Sequence, residues 1–374
     1  MNILMMVSWY TPKGADKLEA GVFHYEQAMD LKKYCNVAMY FPFDKQINEK
    51  ETKEDEWGIT TYRSKYKTAN ILQAKIQIRK TMKHIMEEFK PDVIHAHCAA
   101  GAGFYAIAEA KRYGIPVVIT EHTPLEISHA NKFGIGRIFS KIAYANSNAN
   151  ICVSKSSQSE LKKAFPKCEF SVIYNGIIAP TISKTQKKYY KEGYINVVIV
   201  AVLYDLEIKG LKYLLQAMKM VKKQGQNIVL HHIGGGEYLQ HFKQMANELE
   251  IEDVCIFHGR CDRDELYAIE EEMDFFVSSS LVECSGVSVQ EAMLLGKPVL
   301  GTNSGGVDSL VPQEAGMIVE KANAEALKDG LIHMAKHIEQ YDKERIKQYA
   351  YDNFEIGNIS QKYLQLYEKK IRYD

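Results

Sequence analysis

Short apolar runs alternate with amphipathic segments along this chain, and the alternation restricts the fold to a small set. Apolar runs at residues 92–96 and 151–153 are each followed directly by a helical pattern. The same order recurs later, with apolar runs at residues 195–203 and 228–233. Parallel strands joined by helices produce this pattern, so we expect an α/β protein with doubly wound parallel sheets.

One segment interrupts the alternation. Residues 180–194 are polar, rich in lysine and without periodicity, which is typical of an interdomain linker. A chain of 374 residues also exceeds a typical single domain. We therefore predict a Rossmann-like domain at 1–178, a linker at 179–194, a second Rossmann-like domain at 195–354 and a closing helix at 355–374. The cleft between two such domains is the default ligand site.

The composition argues against several classes of function. Lys plus Arg and Asp plus Glu each number 47, so the formal net charge is zero and gives no reason to expect nucleic acid as a partner. The seven cysteines are scattered without a C-x-x-C pair, which favours reduced thiols in a cytoplasmic protein. The apolar start at residues 1–9 is too short to span a bilayer and predicts a first strand rather than a signal peptide.

Two segments of the first half carry many charges. Residues 44–57 are charged in both signs and predict a solvated loop. The pattern at residues 71–89 predicts a long amphipathic helix with a basic face. The basic residues of that face are Lys75, Arg79, Lys80 and Lys83. A solvated helix face is the favoured interpretation, and peripheral contact with the inner face of the cytoplasmic membrane is the second.

The stretch at residues 275–310 carries the most specific chemistry. It combines an apolar run, a loop of small residues, a helix that begins near residue 287, a second apolar run and a glycine turn. Small residues ahead of a helix let a phosphate reach the unpaired N–H groups of its first turn. Glu283 lies in the loop, and Glu291 lies about one turn inside the helix. These carboxylates suggest a nucleotide-sugar site, but a solvated Glu283 and a Glu291 bonded to nearby backbone fit the spacing equally well.

The string ECSGVSVQEAMLLGKPVLGTNSGG, which begins at Glu283, resembles the E-x-F-G-x-x-x-x-E motif of glycosyltransferase family 4. The A-M-x-x-G-x-P-V segment and the glycine pair of that family follow it. The resemblance spans essentially the whole chain, with Ser285 where the family usually has Phe. It implies the GT-B fold, in which two Rossmann-like domains face each other across a cleft and a final helix crosses back to the first domain.

Further motifs resemble the family in order and spacing. These are D-V-I-H-A-H at 92–97, T-E-H-T at 120–123, Y-N-G-I at 174–177, Lys209–Gly210 ahead of a helix, and F-H-G-R at 257–260. By this resemblance, three residues would be catalytic, namely His122, Lys209 and Glu283. The acceptor would contact His97. The donor would be bound by Gly21, Gly234, Arg260, Ser285, Gly286, Val287 and Glu291.

Some of these residues also have plain structural interpretations. His97 ends a buried strand, where a hydrogen-bonded core histidine fits as well as an acceptor contact. His122 ends a strand beside the expected cleft, and Lys209 opens a helix after a strand; both positions favour function. The triple glycine at 234–236 lacks the G-x-G-x-x-G spacing and fits a tight turn better than a dinucleotide site.

One departure from the family concerns the diphosphate. The family commonly has G-R-L shortly before the lysine, whereas this chain has Ala201, Val202 and Leu203. The bidentate arginine contact is therefore missing at that point. Either Lys209 and the helix N-terminus carry the charge alone, or another cation, such as Lys13 or Arg260, reaches the diphosphate.

The resemblance implies a retaining hexosyltransferase that uses a UDP- or GDP-sugar. The acceptor would be a saccharide or a lipid-linked molecule, as in the synthesis of bacterial surface polysaccharides. No carboxylate is an evident nucleophile, so we expect the acceptor to attack on the face from which the diphosphate leaves. No cofactor and no metal is expected, since no D-x-D motif stands in a matching position. Two alternatives remain: a GT-B nucleotide-sugar epimerase and a non-catalytic nucleotide-sugar-binding subunit.

Overall fold

The computed structural model of the protein describes residues 1–15, 21–65, 71–125, 128, 133–181 and 188–372. It divides the chain into two compact units. Unit 1 comprises Met1–Ile178 and Ile356–Asp374, and unit 2 comprises Ala179–Glu355. The identity of an acceptor would depend on the loops at 10–20 and 126–136; these loops and the predicted linker lie partly outside the described residues.

Unit 1 is built on one sheet. Its strands are β1 (Asn2–Met6), β2 (Asn36–Asp44), β3 (Glu51–Glu56), β4 (Ile59–Lys65), β5 (Val93–His97), β6 (Val117–Glu121), β7 (Ala149–Cys152) and β8 (Ser171–Val172). Within the described residues they lie in the order β3-β4-β2-β1-β5-β6-β7-β8. The neighbouring strands pair in parallel, except that β3 and β4 pair antiparallel.

Helices cover both faces of this sheet. They are α1 (Val22–Leu31), α2 (Ile71–Glu88), α3 (Phe104–Tyr113), α4 (Gly134–Asn146), α5 (Lys155–Ala164) and the closing helix (Ile356–Arg372). Successive side chains of a strand point to opposite faces. Leu4 of β1 accordingly packs in a core with residues of α2, α3 and α4, and Met5 packs in a second core with residues of α1 and the closing helix. Burial on both faces explains why these strands are continuous apolar runs.

Unit 2 repeats this architecture with one parallel sheet. Its strands are β9 (Ile195–Val200), β10 (Ile228–Ile233), β11 (Cys255–Gly259), β12 (Phe275–Ser278), β13 (Val299–Thr302) and β14 (Gly316–Val319), in the order β11-β10-β9-β12-β13-β14. Its helices are α6 (Leu211–Lys223), α7 (Leu239–Glu248), α8 (Arg263–Glu272), α9 (Val287–Leu294), α10 (Ala324–Lys336) and α11 (Lys343–Phe354). The two sheets confirm the predicted α/β class.

Two strands differ from the sequence prediction, and both lie at a sheet edge. The prediction of a solvated loop at 44–57 is wrong for Glu51–Glu56, which forms β3. That strand has the sequence ETKEDE and is largely exposed, so it shows no apolar alternation; charges on an edge strand also discourage pairing with another chain. Strand β14, with only four residues, was not predicted. None of the helices in the described ranges is long and apolar enough to cross a bilayer.

Candidate functional site

The loop that follows β12 is tied to the turn that follows β13. The backbone N–H of Glu283 donates to the carbonyl of Ser304 at 3.0 Å, and the N–H of Gly306 donates to the carbonyl of Glu283 at 2.7 Å. Both segments leave the same edge of a parallel sheet, where open α/β sheets bind ligands. These two hydrogen bonds fix the backbone of Glu283, so its side chain starts from a defined position at that edge of the sheet.

Helix α9 begins directly after this loop. Its N-cap is Gly286, which has a left-handed conformation (φ 58°, ψ 54°) that favours glycine. Ser285 is buried, and its hydroxyl donates to Gln290 Oε1 at 3.3 Å, while Val287 is half-buried. The first N–H groups of a helix lack intrahelical acceptors, and the helix dipole favours negative charge there. The start of α9 thus suits a phosphate approaching over small residues.

A second loop, between β9 and α6, packs against the first one. Gly210 caps α6 in a left-handed conformation (φ 61°), and a Cβ at this position would lie 2.0 Å from the carbonyl oxygen of Ser279. The Ser279 hydroxyl donates to the carbonyl of Lys209 at 2.9 Å, and the N–H of Leu281 donates to the carbonyl of Ile208 at 2.8 Å. Glycine is required at 210 because the two loops touch there.

This packing brings two predicted site residues together. Lys209 Nζ donates to Glu283 Oε2 at 2.8 Å, and the two side chains remain 32% and 21% exposed. Partly exposed ion pairs contribute only about 0–1 kcal/mol to stability. The pair therefore adds little to the stability of the fold.

Glu291 is held by side chains that the sequence reasoning did not identify. The hydroxyl of Tyr267 donates to Glu291 Oε1 at 2.9 Å, and Arg263 lies 3.5 Å from the same oxygen. Arg263 Nε also donates to the Tyr267 hydroxyl at 2.9 Å. Helix α8 therefore supplies donors to Oε1 of this carboxylate and fixes its position.

In unit 1, the predicted histidines lie together near Gly21, which caps α1. His97 Nδ1 lies 2.8 Å from His122 Nε2, and the two rings are nearly parallel, at an interplanar angle of 14°. The ring of His24, a residue absent from the sequence prediction, lies edge-on to both. His97 is completely buried, so its side chain has no surface open to an acceptor in this structure.

Burial keeps these imidazoles uncharged. It lowers the pKa of His122 to about 3, against a hydrogen bond with Asn175 that raises it, and it lowers the pKa of His97 well below the usual value. His95, two residues before His97 on β5, also has a pKa lowered to about 3 by burial. A neutral imidazole can donate one hydrogen bond and accept another, and it leaves the electrons of its second nitrogen available.

Comparison with known proteins decides the family. The model for "Glycosyl transferases group 1" matches residues 183–353, and the model for "Glycosyltransferase Family 4" matches residues 24–179. This chain is a GT-B glycosyltransferase of the group 1, family 4 type.

Individual relatives agree with this assignment. An uncharacterized glycosyltransferase of Methanocaldococcus jannaschii, MJ1178, is 26% identical over 88% of this chain and 97% of its own length. Alpha-monoglucosyldiacylglycerol synthase of Streptococcus pneumoniae is 25% identical over 61% of this chain and 55% of its own. The crystal structure of Anabaena HepE in complex with UDP superposes with a TM-score of 0.77 at 17% identity, over 99% of this chain and 100% of that one, which shows a shared fold.

In this glycosyltransferase, Val202, where the resemblance led us to expect an arginine, is 48% exposed. The turn at 234–236 packs tightly against Ala201: a Cβ at Gly234 would lie 2.0 Å from the carbonyl oxygen of Ala201. Of the two substitute cations considered, Lys13 is paired with Glu54 at 2.7 Å. Arg260 is exposed, and its side chain lies beside Gly235, which belongs to that turn. Arg260 is therefore the better placed of the two.

Two residues of this glycosyltransferase escaped the sequence reasoning for different reasons. His24 lies three residues after Gly21, within a helix whose apolar positions are interrupted by buried polar side chains. Tyr267 lies five residues after Asp262, the N-cap of α8, which accepts from the N–H of Glu265 at 2.9 Å. Each of the two residues lies close to a motif in the sequence, but neither a histidine nor a tyrosine at such a position indicates a functional site by itself.

Proposed function

We propose that this glycosyltransferase transfers a hexose from a UDP- or GDP-sugar to a saccharide or lipid-linked acceptor, with retention of the anomeric configuration. Its biological role would be the synthesis of a bacterial surface polysaccharide. The observation that carries the proposal is the contact between Lys209 and Glu283 at the start of α9. The UDP bound by Anabaena HepE, which shares the fold, supports a nucleoside diphosphate as the leaving group.

Each donor group has a proposed partner in unit 2. The backbone N–H groups at Ser285, Gly286 and Val287 would bind the diphosphate. Glu291, positioned by Tyr267, would accept from the ribose hydroxyls. Glu283 would accept from the hexose hydroxyls once Lys209 turns from the carboxylate to the diphosphate. Gly234 would permit close approach of the donor, with Arg260 alongside.

The proposed step breaks the bond between C1 of the hexose and the diphosphate oxygen. The acceptor oxygen forms the new bond to C1 on the same face, and its proton passes to the departing phosphate. Lys209 and the start of α9 would stabilise the negative charge that develops on the leaving group. This proposal assigns neither a nucleophilic carboxylate nor a metal ion to the diphosphate. His122 and Gly21 would serve the sugar and the acceptor from unit 1, and the buried His97 would position His122 through their hydrogen bond.

Val202 favours one alternative function. Without the arginine of the family, leaving-group stabilisation would be weaker than usual, and a protein that binds nucleotide-sugar without turnover would need no such stabilisation. The exposed side chain of Val202 leaves room for a diphosphate but offers it no charge. The alternative is a non-catalytic binding subunit.

A lipid-linked acceptor is supported by the surface of unit 1. Helix α4 exposes Ile135, Ile138 and Ile142, each at least 40% exposed, and Phe133 just before the helix is 68% exposed. Helix α2 exposes Leu72 and the lysines of its basic face. The buried sides of α2 and α4 pack in the same core, so both helices cover the same face of the sheet. Exposed apolar side chains among basic ones suit an anionic membrane surface.

The test begins with the donor. UDP, GDP and their glucose, galactose, N-acetylglucosamine and mannose derivatives are added to the full-length protein, and the melting temperature is recorded. The nucleotide-sugar that stabilises the protein is then incubated with a panel of saccharide and lipid acceptors, and the anomeric configuration of the product is read by NMR. An α-linked product from an α-linked donor supports the proposal. An inverted product contradicts retention, epimerised donor supports an epimerase, and binding without turnover supports the binding subunit.

A further inference from the structure

A loop of unit 2 lies between β12 and α9, at residues 279–286, and it carries Glu283. Backbone groups in a segment without regular structure need hydrogen-bond partners from elsewhere in the fold when they are buried. Leu281 has two such partners. Its N–H donates to the carbonyl of Ile208 at 2.8 Å, and its carbonyl accepts from Lys321 Nζ at 2.9 Å. The lysine therefore contacts the loop two residues before Glu283.

Lys321 lies just beyond β14, the edge strand of the unit 2 sheet. Its backbone N–H donates to Asn303 Oδ1 at 2.7 Å, and the N–H of Asn303 donates to the carbonyl of Val319 at 3.0 Å. The backbone of Lys321 is thus fixed to the segment that follows β13. Its side chain reaches from there to the loop that follows β12, so this lysine joins the ends of three neighbouring strands.

The chain turns sharply after Lys321. Ala322 has a left-handed conformation (φ 56°), which is unfavourable for a residue with a Cβ. Asn323 then caps α10: its Oδ1 accepts from the N–H of Ala326 at 3.0 Å, and its Nδ2 donates to Glu320 Oε2 at 2.7 Å. A strained residue persists only where its neighbours hold it. The hydrogen bonds on both sides of Ala322 do so, and they keep Lys321 in one defined place.

We propose that Lys321 is a positioning residue for sugar transfer, because it holds the loop that carries Glu283 in the conformation that brings Glu283 to Lys209. A charged amine donates a stronger hydrogen bond to a carbonyl than a neutral group does. This bond acts on Leu281, the same residue through which the loop contacts the carbonyl of Ile208. Its loss would let the two loops separate and would lengthen the distance from Glu283 to Lys209.

This role rests on the proposed function, in which Glu283 and Lys209 act on the hexose and the departing diphosphate. A displacement of about 1 Å can lower the rate of a reaction about 10²-fold. The nucleotide part of the donor would be bound by other groups, namely Glu291 and the start of α9. Loss of the Lys321 hydrogen bond should therefore lower kcat much more than it weakens donor binding.

The test compares three variants of the full-length protein. Lys321→Met removes the hydrogen-bond donor and keeps most of the side-chain length. We expect its kcat to fall about 10- to 100-fold, with KM for the nucleotide-sugar within about threefold of the wild type. Lys321→Arg keeps a positively charged donor and should recover most of the rate. Lys191→Met is the matched control and should keep the wild-type kcat, because Lys191 Nζ also donates to a backbone carbonyl of unit 2, that of Asp253, at 2.8 Å.

Amide hydrogen exchange tests the position of the loop without turnover. In the absence of donor, exchange at residues 279–286 should rise in Lys321→Met and stay at the wild-type rate in Lys191→Met. If the wild type transfers no sugar to any acceptor, the proposed function fails, and exchange alone decides the role of Lys321. A rise in Lys321→Met then supports that role, and an unchanged rate overturns it.

An unchanged kcat in Lys321→Met overturns the proposal, even if the melting temperature falls, because the lysine would then serve only stability. An equal loss of kcat in Lys191→Met also overturns it, since any lost lysine would then have the same effect. If Lys321→Met does not fold, Lys321→Gln replaces it with the same expectations, because its shorter, uncharged side chain weakens the same hydrogen bond.

Discussion

Lys209 Nζ lies 2.8 Å from Glu283 Oε2, although 74 residues separate them in the chain. The contact joins two motifs that the sequence presents independently, one before α6 and the other before α9. It exists because the loops carrying them share backbone and side-chain hydrogen bonds at Ser279 and Leu281. A ligand that binds either side chain must therefore engage the pair.

The first prediction concerns Glu283. Glu283→Ala should lower the rate of transfer by about 10²–10³-fold, because it removes the proposed acceptor for the hexose hydroxyls. The protein should stay folded, since the pair is partly exposed and contributes about 0–1 kcal/mol. Transfer is measured as release of nucleoside diphosphate, and folding as the melting temperature.

Glu325→Ala is the matched control for that variant. It breaks an ion pair of similar length with Lys328, 2.6 Å, at a surface position of the same unit. Its activity should equal that of the wild type. Wild-type turnover by Glu283→Ala would remove Glu283 from the site, and equal losses in both variants would point to a general effect of lost ion pairs.

The second prediction concerns the contact between the two loops. Gly210→Ala should destabilise unit 2 and weaken donor binding, because the new Cβ would lie 2.0 Å from the carbonyl oxygen of Ser279. Gly225, beyond the other end of α6, also has a left-handed conformation (φ 67°), but a Cβ there meets nothing within 4 Å. Gly225→Ala should therefore lower the free energy of unfolding only by the cost of a left-handed backbone at an alanine, about 1 kcal/mol.

The two glycine variants are compared by melting temperature and by the protection that the nucleotide-sugar gives. Gly210→Ala should melt several degrees below Gly225→Ala and should lose nucleotide protection, which Gly225→Ala should keep. Equal melting temperatures would show that the loops can separate without consequence, and the packing around Lys209 would then not define the site.

Much of the fold could be predicted from the sequence because its strands are buried on both faces. The apolar run at 228–233 coincides with β10, and the helix expected near residue 287 begins at Val287. Strand β3 could not be recognised in the same way. Its charged side chains reflect an exposed edge, and only its pairing with β4 makes it a strand.

Site residues that belong to one continuous motif could be predicted from the sequence. Site residues that are brought together only by the packing of separate helices and strands could not. Glu283 and Gly286 stand in one string, and the structure shows both at the loop before α9. The contact of Tyr267 with Glu291 depends on how α8 packs beside α9, and the position of His24 beside His97 depends on how α1 packs on the sheet. Neither packing leaves a periodic signal in the sequence.

The third prediction concerns acid stability. Burial lowers the pKa of His95 and His122 to about 3, whereas a histidine in the unfolded chain has a pKa near 6.5. Between these values the unfolded state binds protons that the folded state does not, so stability that is present above pH 6.5 is lost as the pH falls toward 3. Each such histidine contributes a slope of about 1.4 kcal/mol per pH unit.

Both tryptophans of the chain, Trp9 and Trp57, lie in unit 1, so their fluorescence reports its unfolding. Melting temperatures are recorded from pH 7.5 downward to about pH 4.5. His95→Gln should reduce the steepness of the decline, and His333→Gln, at an exposed position of unit 2, should not. A decline that is equally steep in His95→Gln would mean that other groups govern the acid unfolding of unit 1.

The last prediction concerns the apolar surface of α4. Ile138 is 56% exposed beside Ile135 and Ile142, and burial of one such side chain in a membrane interface is worth about 1.5–3 kcal/mol. Ile138→Ser should therefore weaken co-sedimentation with phosphatidylglycerol vesicles by about tenfold or more. Added salt should weaken it further, because the lysines of α2 lose their attraction to anionic lipid.

Tyr351→Ser, at a 50% exposed position of unit 2, is the control and should bind as the wild type does. If the wild type sediments equally with phosphatidylcholine vesicles, or if Ile138→Ser binds unchanged, this face does not recognise an anionic membrane and the acceptor is better sought among soluble saccharides.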